Sequence, residues 1–336
     1  MFASKRLAAV AVTLAFAAVL SGCTGSNSAP DAGGESGEAA DFPTDNINMI
    51  VSYAAGGPTD VAGRSVAKFM EQDLGVTVVV ENKEGASGTI GTGEVVRSAP
   101  DGYTIGMTTA SAASRVPMFQ EVGFQLEDVQ PIGVVTSGPG LVLVKSDSPY
   151  KTIDDLMDAA KAKPGTLNFG SAGAGAPQHV EFQRLKDEYG IDITLVPFQG
   201  EAPAVTALLG DNIDGCFCSN AQTTMAQVDA GEFRILAVGT PERLGWIPDV
   251  PTLAESGFED LIYGNSYFVL VAPKGIPAEH LAILEGSVER ALEDPATREV
   301  IGEVRLLEEF MGADALQKMM EDEQVTLGPV LKKLFG

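Results

Sequence analysis

Apolar positions along the chain recur at two spacings, every second residue and every third to fourth, and the segments so marked follow one another in alternation. The sequence is organised around Ile50–Asp60. Its first half, with Ile47 and Met49 just upstream, predicts a buried strand. Its second half is a turn that opens a helix on which Ala62, Val66, Phe69 and Met70 fall in register. Strands follow at Val76–Val80, Tyr103–Met107, Ile132–Val135, Leu141–Val144, Leu167–Phe169, Ile193–Val196, Ile213–Phe217, Ile235–Val238 and Phe268–Val271. Helices are expected at Gly88–Ser98, Thr152–Lys161, Gln178–Tyr189 and Ala202–Leu209, with a final helical stretch carrying Leu281, Leu284, Val288 and Leu292. Repeated βα units predict an α/β fold with parallel sheets covered on both faces. Ligands in such folds sit at the carboxyl ends of the strands. No internal repeat at a fixed period is present.

Two turns at such strand ends share one chemistry. In the first, Gly56 and Gly57 permit tight backbone geometry, and Pro58 suits a first helical position because its missing N–H would lack a partner there. Free amides at a helix start attract anions, although one such turn alone is an ordinary βα connection. The second, Asn168–His179, repeats the order of strand, small residues and proline, with Pro177 at the presumed helix start. Two such turns in separate halves of the chain point to one anion site closed from both sides.

The N-terminus changes where this happens. Lys5 and Arg6 precede an apolar run from Leu7 to Leu20, too short for a comfortable membrane span and shaped like a signal peptide. It ends in Leu20-Ser21-Gly22-Cys23, which resembles a bacterial lipobox and implies cleavage before Cys23 and acylation of its sulfur. Residues 24–41 bury almost nothing and read as a disordered tether spanning roughly 25 Å. The formal charge is −24 and falls two units further once residues 1–22 are removed. So acidic a surface argues against nucleic acid and anionic lipid, and leaves an anionic ligand to a local site. With only two His, no zinc constellation exists, and neither metal nor cofactor is expected. Cys216 and Cys218 fall on one face of an apolar run and read as buried thiols.

Enzyme signatures are weak. Gly85-Ala86-Ser87-Gly88-Thr89-Ile90-Gly91 resembles the glycine-rich turn of short-chain dehydrogenases, but it follows the second strand and is separated from it by Glu81–Glu84. No Tyr has a Lys four residues later. Ser65-Val66-Ala67-Lys68 lacks a Lys-Thr-Gly partner and reads as helix periodicity. Neither a Gly-x-Ser-x-Gly elbow nor a Walker-type loop is present. His179 reads as a hydrogen bonder at a helix start.

Taken in order, Ala54–Asp60, Val78–Asn82, Pro100–Thr104, Ala162–Gly165, Ser171–His179, Pro197–Gly200, Asp249–Thr252 and Val271–Pro273 resemble the substrate-binding proteins of tripartite tricarboxylate transporters, over about residues 42 to 334. The resemblance implies a two-domain, type II periplasmic-binding-protein (Venus flytrap) fold. Residues 44–142 and 268–336 would form lobe 1 and 143–267 lobe 2, behind a signal peptide (1–22) and a lipidated tether (23–43). The strands Leu141–Val144 and Phe268–Val271 would be the hinge. It implies a small carboxylate ligand gripped by backbone N–H groups, hydroxyls and waters from both domains. Carried over, it points to Ala55, Gly56, Gly57, Thr59 and Asp60, then Thr109, Ala110 and Ser111, with Tyr53 as a wall. From the second lobe it adds Ser171, Gly173, Ala174, His179, Gly200 and Asn220. Ala176-Pro177 stands where many members carry Ser or Thr. The implied partners are the large and small membrane subunits of the transporter. The protein would be a monomer, non-enzymatic, and lipid-anchored at Cys23 on the outer face of the cytoplasmic membrane. A sensory binding protein serving a two-component kinase is the alternative, and an exported hydrolase a third, disfavoured by the absent elbow.

Overall fold

The computed structural model describes residues 42–53, 55–171, 176–198 and 201–335. The apolar leader, Cys23, the tether and the ligand candidates Gly173, Ala174 and Gly200 lie outside the described residues. In chain order the elements are β1 (Ile47–Val51), α1 (Pro58–Leu74), β2 (Val78–Asn82), α2 (Thr89–Val96), β3 (Thr104–Thr109) and β4 (Val129–Gly138). A second series follows: β5 (Leu141–Lys145), α3 (Ile153–Ala162), β6 (Asn168–Ser171), α4 (Pro177–Tyr189), β7 (Thr194–Pro197), α5 (Glu201–Leu209), β8 (Gly215–Cys218), α6 (Gln222–Asp229) and β9 (Phe233–Val238). The chain ends with β10 (Ser266–Pro273), α7 (Ala278–Glu293), α8 (Pro295–Ile301) and α9 (Ala313–Phe335).

These strands form two five-stranded sheets, in the orders β2-β1-β3-β10-β4 and β7-β6-β8-β5-β9. The chain leaves the first sheet after Gly138, enters the second at Leu141, and returns at Ser266. The expectation of all-parallel sheets needs correction. β1 pairs parallel with β2 and β3, and β6 with β7 and β8, but β10 runs antiparallel to β3 and β4, and β5 antiparallel to β8 and β9. A parallel neighbour requires a crossover that returns the chain to the same end of its sheet. β5 and β10 instead arrive from the other sheet, and each enters at the end where its neighbours finish.

Each sheet is covered on both faces. Ile47, Met49 and Val51 of β1 pack with Ala62, Val66 and Met70 of α1 and with Leu284 and Val288 of α7. Val95, Val269, Val271 and Leu316 cover the opposite face of the first sheet. In the second sheet Val142, Phe169 and Phe217 face α3 and α4, and Leu141, Leu143 and Cys216 face α5. A fifth cluster, Val180, Leu327 and Leu331, packs α4 against α9, so the last helix of the chain braces a helix of the second sheet. Cys216 and Cys218 are buried as expected, but they are joined as a disulfide rather than left as thiols. Alternate strand residues share a face, and the Cα separation of 5.5 Å lies within disulfide range.

Candidate ligand-binding site

At the end of β1 the chain turns through Gly56, whose φ of +78° suits glycine. The Gly56 N–H donates to Asp60 Oδ2 at 2.9 Å, and Asp60 Oδ1 accepts from Arg64 Nε at 2.9 Å and Asn82 Nδ2 at 2.8 Å. Burial alone would raise the Asp60 carboxyl, but Gly56, Asn82 and Arg64 outweigh it and hold it below the usual carboxylate range. Asn82 also donates to the Tyr53 carbonyl at 3.0 Å. Asp60 and Asn82 therefore fix the shape of the turn from beneath. Gly57 caps α1 in an extended conformation, with no side chain bonded to the helix start and Pro58 at the first position. Tyr53 lies over the neighbouring loop, its hydroxyl 3.0 Å from the Ser87 carbonyl and 2.9 Å from Thr109 Oγ1. Thr109 Oγ1 in turn accepts from the Ala112 N–H, and a π-type turn runs from Ser111 to Arg115. Ala110 is buried at its start.

The second turn is built alike. α4 starts at Pro177 behind Ala176, again in an extended conformation and again with no side-chain cap. Ser171, fully buried at the end of β6, has its Oγ 3.1 Å from His179 Nδ1. Burial lowers the His179 pKa, which favours the neutral ring. Gln178 Nε2 donates to the Gly264 carbonyl at 2.9 Å and lies 3.5 Å from Ser266 Oγ, which ties the start of α4 to the strand that re-enters the first sheet. A Cβ placed on Gly138 would stand 3.3 Å from the Ser219 Cβ and 3.6 Å from the Ser266 Cβ. The carboxyl ends of β4 and β8 therefore meet on one seam, and Asn220 Nδ2 crosses it to the Val304 carbonyl at 2.7 Å. Two uncapped, proline-led helix starts, one per sheet, leave amides for which the helices supply no partner. Free amides at a helix start attract anions.

The profile of the tripartite tricarboxylate transporter family receptor matches residues 61–335. The chain belongs to that family. A protein encoded in the ttuE–ttuC′ intergenic region of Agrobacterium vitis is 33% identical over 296 residues, covering 87% of this chain and 85% of that protein. Among solved structures, a TctC solute-binding protein from Polaromonas superposes with a TM-score of 0.78 at 28% identity, covering 87% of this chain and all of that one. MatC from Rhodopseudomonas palustris, solved with bound malate, superposes with a TM-score of 0.69 at 26% identity, covering 86% of this chain and 100% of that one. The two mixed sheets are thus the two lobes of a type II periplasmic-binding-protein fold.

Within this receptor fold the cations are placed to support the turns. Arg64 is bonded to Asp60 and, through Nη2 at 2.8 Å, to Asn82 Oδ1. Arg115, which follows the Thr109–Ser111 loop in sequence, is 1% exposed and makes two 2.8 Å bonds to Glu323 of α9, itself 1% exposed. Arg64 thus spends Nε and Nη2 on the turn, while Arg115 is closed to a ligand, and truncating it would strand Glu323 in the core, so it is a poor probe of binding. Gly85 and Gly88 of the glycine-rich loop both have positive φ, and the loop's Ser87 carbonyl serves Tyr53. Sequence reasoning passed over Glu201 and Arg305. Glu201 opens α5 and accepts from the hydroxyls of Ser219 and Thr224. Its burial raises its pKa, with those hydroxyls and the Ser219 and Ala221 amides opposing. Arg305 lies in a short 3-10 turn with no periodic pattern to mark it. Among the described residues no helix is long and apolar enough to cross a membrane, and no His, Cys, Asp and Glu cluster is arranged to hold a metal.

Proposed function

We propose that this protein captures a small di- or tricarboxylate, or a related organic acid, outside the cytoplasm and delivers it to the large and small membrane subunits of a tripartite tricarboxylate-type transporter. The supporting observation is the pair of proline-led helix starts, Gly57-Pro58 and Ala176-Pro177, neither capped by a side chain, one on each lobe beside a common seam. The relative MatC was solved with malate, a compact dicarboxylate. Preoriented amides hold a carboxylate by charge-assisted bonds and lose no side-chain entropy in doing so. Tyr53, Ala55, Gly56, Gly57, Thr59, Thr109, Ala110 and Ser111 line the first lobe's side in this reading. Ser171, Gly173, Ala174, His179, Gly200 and Asn220 line the second, and Asp60 shapes the first turn. The ligand draws residues 44–142 and 268–336 against residues 143–267, with the hinge at β5 and β10, where the chain changes sheets. No catalytic step is assigned, and the receptor acts as a monomer.

Export and anchoring belong to the same proposal. The lipid on Cys23 holds the receptor at the outer face of the cytoplasmic membrane, and Cys23→Ala should move it from the membrane to the soluble fraction or leave the precursor unprocessed. Unchanged processing and membrane retention would remove the anchor from the account. The ligand itself is tested by native mass spectrometry of the purified protein, alone and with a panel of organic acids. The expected spectrum shows one small acid per chain. A protein that carries no acid and takes none from the panel would contradict the reading.

A further inference from the structure

One row of side chains leads from the first turn to Arg305. Phe268 of β10 pairs directly with Thr109 of β3 and with Thr136 of β4. Directly paired residues carry their side chains on the same face, so Thr109, Phe268 and Thr136 form a row along the carboxyl edge of the first sheet. Tyr53, bonded to Thr109, extends that row. Arg305 covers its far end. Its carbonyl accepts from Thr136 Oγ1 at 2.7 Å, and its guanidinium stands over the Phe268 ring, 5.5 Å from the centroid. The preceding carbonyl, that of Val304, receives Asn220 from the other lobe. Arg305 is therefore on the seam, one to two strand spacings along this row from Thr109, about 5–10 Å.

The guanidinium of Arg305 makes no contact ion pair and no hydrogen bond among the described residues, and its Nε is buried. Glu201 is the acid whose field reaches it, but both Glu201 oxygens are committed, to Ser219 and Thr224. Asn220, 2% exposed and bonded to the residue before Arg305, also leaves its buried Oδ1 without a partner. Buried polar groups nearly always find partners; the Arg305 N–H is a donor open to an acceptor such as a carboxylate, whereas the Asn220 oxygen can take only a donor, a hydroxyl or a water. A planar guanidinium positioned on an aromatic ring matches the two oxygens of a carboxylate. In a chain of formal charge −24, an unpaired cation at this position is specific equipment.

We propose that Arg305 holds a second acidic group of the ligand and so makes the receptor selective for dianions over monoanions of equal length. This rests on the carboxylate reading above. The first carboxylate stays on the helix-start amides, and Arg305 takes the other end. The competing role for Arg305 is a clasp to Glu201 across the seam, indifferent to the ligand. Titration calorimetry with matched pairs, succinate against butyrate and adipate against hexanoate, separates them. The wild type should prefer the better-fitting diacid to its monoacid by about tenfold or more. That ratio should fall in the order wild type, Arg305→Lys, Arg305→Gln, to within about threefold of unity in the last, with melting curves showing each variant folded. The Lys variant keeps the charge and provides the test if the Gln variant does not fold. A ratio unchanged by either variant, or a wild type without preference, overturns the assignment. Failure of all four acids to bind the wild type would instead defeat the carboxylate reading itself.

Discussion

Glu181 shows how a residue unremarkable in sequence acquires a distinct chemistry from its surroundings. It is 1% exposed on α4, with Oε1 3.1 Å from Arg184 Nη1, and its Oε2 is buried without a partner among the described residues. Arg184 is answered chiefly by Glu188, through bonds of 2.9 and 3.1 Å. Burial lifts the Glu181 carboxyl to about 7, against the opposing pull of Arg184, the Tyr263 backbone and the more distant Arg115. The folded chain thus holds a proton that the unfolded chain, near 4.5, has released. Its stabilising contribution is complete below the unfolded value and is lost as pH rises through about 7. Glu181→Gln, which keeps the shape without the charge, should therefore stabilise the protein at pH 8 relative to pH 5. The expected difference is on the order of 2 kcal/mol, or a few degrees in melting temperature. Melting curves of both proteins at the two pH values check this, and a Gln variant whose melting temperature relative to wild type is no higher at pH 8 than at pH 5 would reverse the assignment.

At the scale of elements, the parts legible in sequence are those whose cause is local. β1 and α1 follow from the spacing of Ile47, Met49, Val66 and Met70 and from Pro58 at the first helical position. Both proline-led turns are legible for the same reason, because a glycine or alanine followed by proline determines the geometry within a few residues. β10 was recognised as a strand but not as an antiparallel one, because its direction depends on β3 and β4, more than a hundred residues earlier. α6 was missed because only Thr224 in it is buried, so no apolar stripe betrays it. Arg305 was missed because its neighbours Thr136, Phe268 and Asn220 are brought together only by the sheets. The turn itself provides the sharpest test. Gly57 has φ −76° and ψ 169°, an extended conformation that suits valine, so Gly57→Val should fold normally while crowding the amides of α1. Gly173→Val is the corresponding change in the second turn, chosen from sequence. Each should abolish detectable carboxylate binding in a calorimetric titration at an unchanged melting temperature, whereas Arg64→Ala should cost less than about 1.4 kcal/mol, a factor of ten in affinity. Binding retained in both Val variants and lost with Arg64 would transfer the anchor from backbone to side chain.

For the whole molecule, the decisive feature is that each of two separate cores carries a proline-led helix start after a strand of its sheet. The lobes are joined where β4 passes to β5 and where the chain returns at β10, and on another side by α9 packed on α4. An overall charge of −24 repels anions at a distance, so affinity has to come from short-range bonds inside the site, where salt screens little. That separates this mode of capture from electrostatic attraction and defines the most direct measurement. The full chain is titrated calorimetrically near neutral pH with malate and adipate, and with the corresponding uncharged diamides. The account expects one binding site per chain for at least one of the acids, with an affinity that changes little between low and physiological salt, and no heat from the diamides. Binding of a diamide as tightly as its acid, or of no acid in the set, would contradict a receptor that recognises carboxylates at its two helix starts.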